Sequence, residues 1–145
     1  MSDASNHPKK VVVGVDGSEA SLAALDWAMR QAELTGSGVE AVTAWRWPSS
    51  FGGPLPLIPD YNPEAEATKT VVAAIAKVRP AHPAIEVRVH VAQGGPAQVL
   101  VDASKGAELL VVGNRGFGEL AGMLLGSVSE YCVTHAHCPV LVLRH

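Results

Sequence analysis

The chain has few cysteines and no long apolar run. Two cysteines, Cys132 and Cys138, stand among 145 residues. Because two thiols are too few for a disulfide framework, they favour a reducing, cytoplasmic location. Nowhere do eighteen apolar residues follow one another, so the sequence predicts no membrane-spanning helix. The polar start "MSDASNHPKK" has no apolar centre, and we expect residues 1–9 to form a flexible tail rather than a signal peptide.

Positive charge is also scarce. Eleven Lys and Arg residues against fourteen Asp and Glu residues give a formal net charge of −3 and a sequence pI near 6.0. The basic residues form no stripe, so we expect no nucleic-acid partner. An apolar share of 48% and a charged share of 17% predict a folded chain. Its length predicts one domain over residues 10–145.

Strand-like and helix-like segments alternate along the chain. Apolar runs predict strands at residues 11–15, 39–45, 108–112 and 139–143. Alternating apolar and polar residues predict a fifth strand at 85–91, near the sheet edge. Helical spacing and start signals predict four helices, from Glu19 to about Thr35, from Pro63, from Pro96 and over 128–136. This order predicts a doubly wound α/β domain, with a five-stranded, mainly parallel sheet and helices on both faces.

Local signals refine two of the helices. Ser18 is placed to cap the first helix and Gly36 to end it. The second helix is expected to turn four side chains inward, those of Val71, Val72, Ile75 and Val78. It follows the proline-rich segment 46–63, which is a lid, a partner surface or an irregular connector.

The stretch "GNRGFGELAGMLLGSVSE" (113–130) holds five glycines directly after the fourth strand. In doubly wound sheets, ligands bind at the carboxyl ends of the strands, where the winding reverses. The turn "GVDGS" after the first strand and the turn "GNRG" after the fourth occupy such ends. Both turns are therefore candidates for one ligand site.

Three known nucleotide- or phosphate-binding motifs are incomplete in this sequence. A P-loop needs a lysine before its hydroxyl residue, but Leu125 precedes Gly126 and Ser127. Residues 116–121 match the dinucleotide-binding motif G-x-G-x-x-[GA]. However, they follow the fourth strand instead of the first, and the acidic residue that should bind the ribose about twenty residues later is missing. The phosphatase pattern D-x-D-G-[TV] has Gly14 at its nucleophile position.

A phosphate cradle remains as an interpretation. A helix that begins after Gly126 presents unpaired N–H groups and partial positive charge. Ser127 and Ser129 add hydroxyl donors, and Arg115 adds a full positive charge. The alternative for Gly126 and Ser127 is an ordinary helix start, and for Asp16 it is a turn or capping carboxylate.

The spacing G-x2-G-x9-G-[ST], filled by Gly113, Gly116, Gly126 and Ser127, resembles the ATP-binding signature of the universal stress protein family. The similarity runs from Lys10 to Arg144 and includes "VVVGVDGS", "GGPA" and "CPVLVLR". It implies the strand order 3-2-1-4-5 and a homodimer formed through the last strand. Pairing there would also cover an open sheet edge.

The resemblance also implies a set of binding residues. Asp16 would hydrogen-bond adenine and Ala44 would line the adenine pocket, with Arg115 where a histidine can occur. The full set of implied contacts is Gly14, Val15, Asp16, Ala44, Gly113, Arg115, Gly116, Gly126, Ser127, Val128 and Ser129.

The expected function is that of an ATP-binding regulatory stress-response protein, with Mg²⁺ offsetting the charge of the triphosphate. No catalytic residue is identified, so we do not expect an enzyme. Three alternatives stay open: a cyclic AMP or AMP module, a slow ATPase, and an interaction module without nucleotide. The segment "CVTHAHC" fits no common closed zinc site, so no metal site is predicted.

Overall fold

The computed structural model describes residues 9–47, 61–115 and 125–144. Within these residues, five strands and four α-helices alternate, with one short 3₁₀ turn at Arg79–Ala81. The strands are β1 (Lys10–Gly14), β2 (Gly38–Trp45), β3 (Val87–Gln93), β4 (Leu109–Gly113) and β5 (Val140–Leu143). The helices are α1 (Glu19–Thr35), α2 (Pro63–Val78), α3 (Pro96–Ala103) and α4 (Ser127–His135). The expected tail, apart from residue 9, most of the proline-rich segment and Gly116 lie outside the described residues.

All five strands form one sheet in the order β3-β2-β1-β4-β5, and every neighbouring pair is parallel. This confirms the doubly wound fold class and the order that the family resemblance implied. Because β1 lies between β2 and β4, the turns after β1 and β4 meet at one edge of the sheet. The fold thereby brings together segments about a hundred residues apart.

Helix starts and stops follow the local signals in the sequence. The Ser18 hydroxyl accepts a hydrogen bond from the Ser21 N–H at 3.2 Å and caps α1, as predicted. Gly36 ends α1 with φ 73°, a left-handed conformation that favours glycine. Asn62 caps α2 directly before Pro63, which occupies the first helical position.

The core has two parts, one on each face of the sheet. Alternate β1 side chains divide between them, since Val11 and Val13 pack with α1 and α2, whereas Val12 packs with α3 and α4. The expectation for Val72 was wrong, because this side chain is 52% exposed and Ala74 is buried instead. Positions 71, 74, 75 and 78 follow helical spacing, and 72 lies off that face.

None of the helices that the structure describes has both the length and the apolar character needed to cross a membrane.

Candidate functional site

A cavity of about 300 Å³ opens at the carboxyl ends of β1, β2 and β4, where the winding of the sheet reverses. Nine of the eleven residues implied by the family resemblance line it: Gly14, Val15, Asp16, Ala44, Gly113, Arg115, Gly126, Val128 and Ser129. Ser127 is exposed and stands outside this lining. Gly116 lies outside the described residues, so its predicted place in the site stays a prediction.

Asp16 occupies the turn between β1 and α1, and its carboxylate is held there by Ser18. Oδ1 of Asp16 accepts from the Ser18 N–H at 2.8 Å and from the Ser18 hydroxyl at 2.5 Å. The N–H of Asp16 donates to the Ser21 hydroxyl at 3.3 Å. Asp16 is exposed beside the cavity, so the turn-stabilising role and a ligand contact through Oδ2 are compatible.

Two glycines of the lining lie close to neighbouring helices, Gly113 against the α1 backbone and Gly14 against the flexible end of a leucine side chain. A Cβ on Gly113 would lie 2.9 Å from the Ala20 Cβ and 3.1 Å from the backbone carbonyl of Ala20 in α1. A Cβ on Gly14 would lie 2.9 Å from the Leu100 Cδ1 in α3. Gly113 is one of the nucleotide contacts that the family resemblance implies, and the structure adds close packing between β4 and α1 as a second reason for glycine there.

The start of α4 is tied to the end of β4 by backbone hydrogen bonds. The N–H of Gly126 donates to the Asn114 carbonyl at 2.6 Å. The buried hydroxyl of Ser129 donates to the carbonyls of Asn114 and Gly126, at 3.1 and 3.0 Å. Ser129 was expected to offer its hydroxyl proton to phosphate, but here that proton is engaged by backbone oxygens. Its observed contacts hold the two halves of the site together.

The cavity combines an apolar wall with a polar end. Valine and leucine side chains of β2, β4 and α3 form the wall, and they are Val42, Val99, Leu100 and Val112. Arg115 and the first turn of α4 stand at the polar end. A helix start leaves its first N–H groups without partners inside the helix and carries partial positive charge. The arrangement suits a ligand with a flat apolar part and an anionic part.

Seven further residues of the lining were not predicted as part of the site: Ser21, Val42, Thr43, Pro96, Val99, Leu100 and Val112. Signals existed for several of them. Val42 and Thr43 directly precede Ala44, and Pro96 belongs to the quoted "GGPA" turn. Val99 and Leu100 carried no such signal, since an apolar residue on a short helix is ordinarily only part of the core.

The cysteine and histidine segment does not form part of the cavity wall. Cys132 is fully buried in the core, where burial raises the pKa of its thiol to about 11 and keeps it neutral. His135 stacks on Tyr131, with ring centroids 4.0 Å apart. In residues 9–47, 61–115 and 125–144, no group of three or more potential metal ligands is arranged to hold an ion.

Comparisons with known proteins agree on one family. The model of the universal stress protein family matches residues 7–144. A universal stress protein of Mycobacterium tuberculosis is 35% identical over an alignment of 141 residues, and the match covers 92% of this chain and 47% of the relative. The chain spans about half the length of the curated relatives it matches.

Solved structures show the same fold. A universal stress protein in complex with cAMP is 30% identical, with a TM-score of 0.70 over 94% of this chain and 97% of that one. The universal stress protein of Archaeoglobus fulgidus in complex with dAMP is 24% identical, with a TM-score of 0.66 over 94% and 97%. The match of the family model over nearly the whole chain, together with these relatives, shows that the chain belongs to the universal stress protein family.

Proposed function

We propose that this protein binds an adenine nucleotide, ATP with Mg²⁺, in the cavity at the ends of β1, β2 and β4. One observation carries the proposal: the apolar wall and the start of α4 line the same cavity. That cavity lies at the carboxyl ends of the strands, where the winding of the sheet reverses. The complexes of two structural neighbours, with cAMP and with dAMP, support an adenine ligand.

The base is assigned to the β2 side of the cavity. Ala44 and Val42 of β2 and Pro96 of α3 line this side and offer flat apolar contact. Asp16 stands next to it, and its Oδ2 accepts no hydrogen bond from the described residues. A carboxylate oxygen accepts from an exocyclic amino group, which adenine has and hypoxanthine lacks.

The phosphates are assigned to the β4 side. Arg115 supplies a full positive charge there, and Gly126 and Val128 bring the α4 start to the cavity. Unpaired N–H groups at a helix start bind phosphate oxygens well. Mg²⁺ is assigned to offset the remaining charge of a triphosphate, with oxygen ligands that come largely from phosphate and water.

Binding rather than catalysis is the proposed activity. ATP would favour one conformation or one assembly, which partner proteins would sense in a cytoplasmic stress response.

The two free cysteines, one of them buried and neutral, fit a reducing compartment. A homodimer is proposed through β5, because this strand is a sheet edge and a second copy would satisfy its outer backbone groups.

Cyclic AMP is the second candidate ligand, because the neighbour with a TM-score of 0.70 is a cAMP complex.

The proposed function is tested by calorimetric titration of nucleotide-stripped protein with Mg-ATP and with cAMP, with phosphate release measured in parallel. Saturable ATP binding near one site per chain, without phosphate release, is the expected result. Tighter cAMP binding would reassign the ligand, and steady phosphate release would make the protein a slow ATPase. A folded protein that gives no heat with either nucleotide would overturn the proposal.

A further inference from the structure

Arg46 is the first residue after β2, and its side chain reaches across to the turn between β3 and α3. The Arg46 Nη1 atom lies 3.9 Å from the point where a Cβ would stand on Gly95. Gly95 caps α3, and the next residue, Pro96, lines the cavity. Since side chains alternate along an extended chain, Arg46 projects to the same side of the sheet as Ala44, which also lines the cavity.

The Arg46 guanidinium places a positive charge at this rim. It is exposed, and it forms no ion pair or hydrogen bond with the described residues. Arg88, by contrast, lies at the amino-terminal end of β3, away from the cavity, and forms an ion pair with Glu86 at 3.2 Å. An exposed arginine without a carboxylate partner is available to a ligand, either to an anion or to the face of an aromatic ring.

The position of Arg46 in the fold decides between a contact with the phosphates and a contact with the base. Arg46 follows β2, whereas Arg115 and the α4 start follow β4, and β1 lies between them. Two strand spacings of about 4.8 Å put these groups roughly 10 Å apart across the sheet. A nucleotide whose phosphates lie at the α4 start therefore presents its base, and not its phosphates, beside Arg46.

We propose that Arg46 is a further binding residue of the nucleotide site, whose guanidinium stacks on the open face of the purine base against the apolar wall. This inference rests on the proposed function. A planar guanidinium stacks on an aromatic ring with both groups partly in water, which adds a modest increment of affinity. The Arg46 Nη1 atom lies at ordinary contact distance, 3.9 Å, from the Cβ position of Gly95, so the guanidinium already lies beside the residue that precedes Pro96 of the cavity wall.

The experiment measures the affinity of AMP and of ATP for the wild type, Arg46→Ala, Arg46→Lys and the control Arg88→Ala. Each affinity is determined by calorimetry at low and at high salt. We expect Arg46→Ala to weaken AMP and ATP by the same factor, about three- to tenfold, at both salt concentrations. Arg46→Lys should lose most of this affinity too, since lysine keeps the charge but has no planar group. Arg88→Ala should bind like the wild type.

Two results would overturn the inference while leaving the proposed function intact. In one, Arg46→Ala binds both nucleotides as tightly as the wild type does. In the other, ATP is weakened far more than AMP, the loss shrinks at high salt and Arg46→Lys restores it, which would identify a phosphate contact. A wild-type protein that binds neither nucleotide would overturn the proposed function, and the inference with it.

Discussion

Gly113 at the end of β4 lies directly against Ala20 in the first turn of α1, so close that a Cβ on Gly113 would stand 2.9 Å from the Ala20 Cβ. The same Cβ would also meet the carbonyl carbon and oxygen of Ala20 at 3.1 Å, and this backbone has little room to move. A glycine of the nucleotide-type pattern thus has a packing role that is independent of any ligand.

We therefore expect Gly113→Ala to destabilise the fold by about 1–3 kcal/mol, as measured by urea unfolding. Gly38→Ala is the matched control, because a Cβ there meets only the Glu86 carbonyl oxygen at an ordinary 3.7 Å. The control should unfold at the wild-type midpoint or slightly above it. Equal stability of Gly113→Ala and the wild type would show that α1 and β4 separate easily.

Gly126 gives the opposite expectation. Its φ of −76° and ψ of 169° are open to any residue, so its conformation does not require glycine. It lines the cavity at the start of α4, so the branched side chain of Gly126→Val should fill the phosphate end and abolish ATP binding. Circular dichroism and an unfolding curve should show a folded protein that loses about 0.5–2 kcal/mol from a poorer helix cap. Unchanged ATP affinity in this folded variant would contradict the placement of the phosphates.

Ser129 and Ser127 form a matched pair in α4. The buried Ser129 hydroxyl bonds two backbone carbonyls, whereas Ser127 is exposed. Ser129→Ala should lower the free energy of unfolding by about 0.5–1.5 kcal/mol, because the hydroxyl hydrogen bond is lost while both carbonyls keep a backbone donor, from Gly126 and from Glu130. Ser127→Ala should change it by less than about 0.5 kcal/mol. Equal unfolding midpoints for the two variants would argue against Ser129 as a support of the site.

Asp16 can be tested with a pair of substitutions that separate its two roles. Asp16→Asn keeps an oxygen that accepts from Ser18, whereas Asp16→Ala removes it. Asp16→Ala should lose adenine selectivity, so that GTP competes better against ATP, and should also lose about 1 kcal/mol of stability. Asp16→Asn should recover the stability. Competition titrations in which all three proteins discriminate equally would remove Asp16 from base recognition.

His82 predicts how stability depends on pH. Its buried imidazole follows the 3₁₀ turn and contacts two carboxylates of α1: Nε2 lies 2.8 Å from Asp26 Oδ1, and Nδ1 contacts Glu33 Oε1. Burial alone lowers the pKa of His82, but the hydrogen bonds and negative charges of Asp26 and Glu33 outweigh it and raise that pKa above its ordinary value. Two cations stand nearby: Arg30 pairs with Asp26 at 3.8 Å, and Arg79 donates to the His82 carbonyl.

The pKa of His82 is raised in the folded protein, so protonation of His82 stabilises the fold. This contribution to the free energy of unfolding is complete below about pH 6.5, the ordinary pKa of histidine. That contribution is lost as pH rises through the higher, folded pKa. Urea unfolding should therefore show less stability at pH 8.5 than at pH 6. His82→Gln should flatten this difference, and the exposed His90→Gln should leave it unchanged. A His82→Gln variant with the full pH difference would assign the effect to other groups.

Much of the fold and of the site was predictable from local patterns. Buried β-branched runs, Ser18, Gly36 and Pro63 marked the elements, because caps and periodicity act over a few residues. The same signals could not identify the neighbours of each element. Val72 was expected inside and is exposed, since only packing against β2 and β3 decided which face of α2 is covered.

The sequence by itself determined the alternation of strands and helices, and it identified the two turns that carry the candidate site. Only the tertiary structure decided that Ser129 binds the Asn114 carbonyl and that Gly113 makes room for Ala20. The tertiary structure also brought His82 to Asp26 and Arg46 to Gly95. These partners are 15 to 93 residues apart in the chain. The contact of Gly113 with Ala20 depends on the parallel pairing of β1 with β4, and that of Arg46 with Gly95 on the pairing of β2 with β3, which no local pattern specifies.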